Sequence, residues 1–170
     1  MANIALDERV DHFSQSLSQV LGMTIRSFTD DGAHYLFIHG VGEEGNVNDI
    51  TGDDGMGIFI NIDNNGNFED SNNLDVNHVD ISNNTLQPQN VRDICQYLIN
   101  QFQNQQASLG VNNFFQNTLN RLNFIRNYIA QYGTIPNQAQ FPPIQPHQQG
   151  NNINNNQANV GNPKKGKGLN

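Results

Sequence analysis

Hard oxygen ligands crowd one short stretch of this chain. Asn61, Asp63, Asn65, Gly66 and Asn67 follow the first half of an EF-hand calcium loop, with Gly66 in the sixth position, where that loop turns sharply. The twelfth position holds Asn72, where a bidentate Glu closes such loops, and no helical pattern flanks the segment. A less regular calcium site would use Asp63, Glu69 and Asp70, with Asp53 and Asp54 as further carboxylates. Clustered carboxylates repel one another until a cation neutralises them. A solvated hairpin tip explains the same residues without an ion, and it is the reading favoured here.

Other patterns point to other chemistries. Gly40-Val41-Gly42-Glu43-Glu44-Gly45 spells the dinucleotide-binding fingerprint after a predicted strand. That motif works by bringing glycine amides and a helix N-terminus to a pyrophosphate. Glu43 and Glu44 would repel the phosphate, and residues 46–55 carry no helical pattern, so a surface loop is expected. The five histidines, His12, His34, His39, His78 and His147, form no H-x-x-x-H pair. His34 and His39 stand five apart on a strand and so face opposite sides. Cys95 is the single cysteine, which excludes an intramolecular disulfide and a cysteine-based zinc site. It sits on an apolar helical stripe, where thiols are usually inert. No G-x-S-x-G elbow occurs. An enzyme would have to be built from His39, His78 or Cys95, brought together by tertiary structure.

Charge divides the chain. Residues 1–93 hold all sixteen acidic residues against Arg9, Arg26 and Arg92, a net −13; residues 94–170 hold two arginines and three lysines, a net +5. An acidic front repels phosphate, so nucleic acid is not the expected partner, and Lys164, Lys165 and Lys167 would supply only a salt-sensitive contact. Thirty Asn and seventeen Gln, with an apolar fraction of 35%, leave enough for one modest core between Ile4 and Ile135. The first twenty residues carry Asp7, Glu8 and Asp11 and no continuous apolar run, unlike a secretory signal. No stretch approaches the roughly 18 apolar residues that cross a bilayer. A cytoplasmic location without a membrane partner is expected, with signal-independent secretion as the alternative.

The elements that must position these residues follow from periodicity. Leu6, Val10, Phe13, Leu17, Val20 and Leu21 predict an amphipathic helix over 5–21, stopped by Gly22. Strands are predicted at 24–29 and 34–39 around the turn Asp30-Asp31-Gly32-Ala33. The unbroken Tyr35-Leu36-Phe37-Ile38 predicts burial on both faces. Residues 56–62 read as a second central strand, 67–69 as a short return, and 74–81 as an irregular strand. Val91, Ile94, Cys95, Leu98 and Phe102 predict a helix over 89–106; Phe115, Leu119, Leu122, Ile125 and Ile129 predict another over 111–132. The expected fold is α+β: a small antiparallel sheet packed against an N-terminal helix and a C-terminal helical hairpin. It occupies 1–136 as a single domain, followed by a disordered Asn/Gln-rich tail over 137–170.

The run Val20-Leu21-Gly22-Met23, then Ser27-Phe28-Thr29-Asp30-Asp31-Gly32 and Tyr35-Leu36-Phe37-Ile38, resembles the small acidic chaperones of bacterial type III secretion over residues 6–62. The chain departs from that pattern in its acidic insertion at 40–55, its scarce late strands and its Asn-rich tail. The resemblance implies an acidic α/β dimer that binds an extended partner. The residues themselves point the same way. Phe114, Phe124 and Tyr128 widen the apolar stripe of the last helix, as a docking face does. The expected function is therefore non-catalytic protein binding, as adaptor, secretion chaperone or effector. The partner is another protein or a second copy of the chain, and no cofactor is needed. An acidic calcium-binding module and a small enzyme are the alternatives.

Overall fold

The computed structural model describes residues 5–41, 57–70, 74–79, 86–110 and 113–145. Helix α1 spans Leu6–Leu21 and ends where Gly22, at φ 64°, turns left-handed and donates to the Ser18 carbonyl. Strands β1 (Ile25–Asp30) and β2 (Ala33–His39) form a hairpin whose two-residue turn, Asp31 and Gly32, has positive φ at both positions, as the twist of the strands requires. Strand β3 (Gly57–Ile62) pairs antiparallel with β2, giving the sheet order β1-β2-β3. Two long helices close the fold, α2 (Pro88–Leu109), with its proline in the first turn, and α3 (Asn113–Tyr132). This is the expected α+β architecture.

One face of the sheet and all three helices supply a single core. Leu36 and Ile38 of β2 and Ile58, Ile60 and Ile62 of β3 meet Val10, Phe13, Leu17 and Leu21 of α1 and the stripes of α2 and α3. Every residue of the two predicted helical stripes, Val91 to Phe102 and Phe115 to Ile129, is buried. Phe13 is wholly buried and meets the Phe68 ring edge-on at 5.8 Å, so truncating it to Ala would cost about 3–5 kcal/mol.

Three expectations differ from the structure. Among the described residues strand β3 is an edge strand, not a central one. Its free side is met at both ends: Gln105 Nε2 donates to the Gly57 carbonyl at 2.8 Å, Ile62 bridges Phe68, and the Glu69 amide donates to the Asn61 carbonyl. Residues 74–81 do not form a strand within the described part: Val76–His78 is a 3-10 turn whose Asp75 side chain accepts from the His78 amide. That local side-chain bond outcompetes ladder pairing, and only Asn67–Asp75 remains as a bridge. Finally, residues 137–145, expected in the tail, pack back on the body. A capping box between Asn137 and Gln140 starts a 3-10 turn, and Asn117 holds the Gln145 main chain at both N–H and C=O, each at 2.8 Å.

Candidate functional site

The side chains singled out for catalysis are scattered. Cys95 is fully buried in the core, and burial pushes its thiol up to about 12, so no thiolate forms near neutral pH. His39 is buried too, but on the other face of the sheet, edge-on to Phe37 at 4.6 Å. His78 is exposed, and its Nδ1 lies 2.7 Å from the Asp75 carboxylate. The calcium candidates are no better gathered. Asp63 Oδ1 accepts from the Asn65 and Asn67 amides at 2.9 and 3.0 Å, so this carboxylate shapes its own turn. Glu69 and Asp70 are exposed, and among the described residues no three acidic, His or Cys side chains converge as a metal set. Asp53, Asp54 and most of the glycine-rich motif lie outside the described residues.

Two aromatic surfaces remain. The first is the ridge of α3 expected to dock a partner. Phe124, Tyr128 and Tyr132 succeed one another at four-residue steps, with ring centres 5.8 and 4.6 Å apart. The side chain of Phe114 is not among those described. Part of the ridge is covered by the chain's own segment 134–145. Phe141 meets Phe124 at 6.2 Å and lies under the Arg121 guanidinium at 4.8 Å. Arg121 is nearly buried and donates to the Gly22 carbonyl at 2.6 Å, which ties α3 to the end of α1. A Cβ at Gly22 would stand 3.0 Å from the Phe141 ring and 3.1 Å from the Arg121 guanidinium, so both would have to give. Gln138 Nε2 donates to the Gln19 carbonyl and Gln140 Nε2 to the Tyr128 hydroxyl. Beyond this strap a groove of about 440 Å³ stays open, lined by Phe124, Asn127, Tyr128, Gln131, Tyr132 and Gln140. Tyr132 is 59% exposed there.

The second surface is the outer face of the sheet. The register places Arg26 and Phe28 of β1, Tyr35 and Phe37 of β2, and Phe59 and Asn61 of β3 on that side. Phe37 is buried, packed against Phe59 at 4.6 Å, whereas Phe59 itself is 53% exposed. A groove of about 400 Å³ runs among Phe28, Thr29, Asp30, Tyr35, Phe59 and Asn61. Gly57 lets β3 approach closely at the other end, since a Cβ there would stand 2.5 Å from the Ile38 carbonyl oxygen.

No family model, curated protein or solved structure matches this chain. Among the described residues no helix is long and apolar enough to cross a membrane.

Sequence reasoning missed the outer sheet groove and the strap. The signal for the first was present: β2 and β3 carry aromatics at Tyr35, Phe37 and Phe59, on the face opposite Leu36 and Ile60. The signal for the strap was Phe141, a lone aromatic within a Pro- and Gln-rich run.

Proposed function

We propose that the protein is a non-catalytic protein-binding module whose α3 ridge receives an extended, uncharged apolar segment of another protein. One observation carries this reading: α3 already holds such a segment. The strap leaves Phe141 in extended conformation (φ −66°, ψ 149°), its ring on Phe124 and its downstream main chain paired with Asn117. The adjoining groove continues the same chemistry. Tyrosine rings offer apolar area with little entropy to lose, and Asn127, Gln131 and Gln140 offer donors and acceptors for a peptide main chain. The lining has neither a Lys/Arg cation for phosphate nor a carboxylate for a basic peptide.

The test is a photo-crosslinking residue at position 132 of the full chain, with position 59 as control, followed by calorimetry on the purified captured partner. Crosslinking from 132 and at least tenfold weaker binding by Tyr132→Ser are expected. Undiminished affinity after Tyr128→Ala with Tyr132→Ser would remove this face from consideration.

A further inference from the structure

Among the described residues strand β1 is an edge, and no hydrogen bond from them reaches the main chain on its outward side. The His39 amide donates to the Thr24 carbonyl at 2.9 Å, so Thr24 turns its polar groups toward β2. Alternation then turns Arg26, Phe28 and Asp30 toward β2 as well, and Ile25, Ser27 and Thr29 away from it. Among the described residues β1 pairs with β2 alone. Proteins usually blunt such an edge with proline, lysine or a bulge. Ile25-Arg26-Ser27-Phe28-Thr29-Asp30 has no proline or lysine, and its register with β2 runs unbroken.

The side chains on this edge are self-complementary. Arg26, Phe28 and Asp30 all project from the outer face. Arg26 lies over Phe28, 5.4 Å from the ring centre, and its Nη1 is buried without a hydrogen-bond acceptor. Asp30 is exposed, and no ion pair joins it to Arg26 or any other residue among those described. We propose that β1 pairs antiparallel with β1 of a second copy about a two-fold axis at Phe28, joining two three-stranded sheets into one of six strands.

Only alternate registers bring outward-facing amides together, and charge chooses among them. Centring on Phe28 sets Ser27 opposite Thr29 of the second copy, both with outward main chains, as a hydrogen-bonded pair. Phe28 then faces Phe28 in a non-hydrogen-bonded pair, where side chains approach most closely. Arg26 of each copy stands opposite Asp30 of the other, twice by symmetry. A register centred on Arg26 would oppose like charges, and one centred on Ser27 leaves both charges without partners. The Phe28 register also joins the two outer grooves across the axis, since Phe28 lines both.

Arg26→Asp and Asp30→Arg each place like charges opposite one another in the homodimer. Mixed together, they restore two Arg–Asp pairs in a heterodimer. Sedimentation equilibrium on the full chain should show a wild-type dimer, at least tenfold weaker self-association for each single variant, and a dimer again in the equimolar mixture. That rescue also shows both variants to be folded. A monomeric wild type, single variants that dimerise as wild type does, or a mixture no tighter than its components would overturn the proposal.

Discussion

The α3 ridge and the outer face of the sheet carry the same kind of side chain and end differently. On α3, three aromatics are joined by Phe141 from the chain itself, and polar clasps fix that segment at Gln19, Asn117 and Tyr128. On the sheet, Phe28, Tyr35 and Phe59 border a groove among whose lining residues none comes from the strap. Helical side chains at four-residue steps make a narrow ridge, which a single extended strand of chain can flank. A pleated face is broad, and its two flanks are strand edges with main-chain groups to satisfy. The two proposals divide along this line, a peptide for the ridge and another sheet for the sheet.

Of the changes that separate the two surfaces, the largest expected effect comes from one close approach beneath the sheet. Gly57→Ala forces a Cβ against the Ile38 carbonyl and the Phe37 ring. Urea unfolding should show a loss of about 3 kcal/mol, the upper end for overpacked sites, because the clash is with main chain. Crosslinking from position 132 should persist under native conditions. If both surfaces lost function together, they would be one cooperative unit and the distinction drawn here would fail.

A smaller effect is expected when the strap is loosened. Arg121→Ala removes the bond to the Gly22 carbonyl and the stack on Phe141. Stability should fall by about 2 kcal/mol, typical of a lost hydrogen bond to a charged group. Cleavage within 134–145 under limited proteolysis should speed up several-fold, while cleavage in the β1–β2 turn stays unchanged. Equal acceleration at both places would mean global destabilisation and not strap release.

The smallest effects separate binding from stability. Tyr132→Ser should move the unfolding free energy by no more than about 0.5 kcal/mol, because its ring is mostly in water. Phe59→Ser should cost somewhat more, about 1 kcal/mol, since that ring covers the buried Phe37, whereas Tyr132 stacks on a Tyr128 that is itself only half-buried. A reversal of this order would show that Tyr132 is a structural part of α3.

The helices and the β1–β2 hairpin were readable because each is decided by neighbours in sequence. A stripe such as Val91, Ile94, Cys95, Leu98 and Phe102 declares its buried face, and Asp31-Gly32 declares its turn. The edge position of β3 was not readable, because Ile58, Ile60 and Ile62 would alternate in the same way in a central strand. Residues 74–81 misled for another reason: Asp75 caps a turn with its own side chain, and periodicity does not report that. Phe124 and Tyr128 share one face of α3 by their four-residue spacing, but the segment beside them follows α3 directly and folds back with no periodicity to announce it. The Gly22–Arg121 bond has no local signature at all.

The strap has a consequence for the order of folding. Its clasp between Gln138 and Gln19 spans 119 residues, and the Arg121 bond beneath it spans 99. Contacts that close such long loops lose chain entropy before they return any enthalpy, so they follow local ones. The strap's clasps on α3 itself span only 12 and 28 residues, so the strap can settle on the ridge before α1 is in place, and the Gln19 clasp closes last. During synthesis α3 is made before the strap, so under the proposed function a partner segment present at that moment would meet Phe124 before its rival within the chain exists.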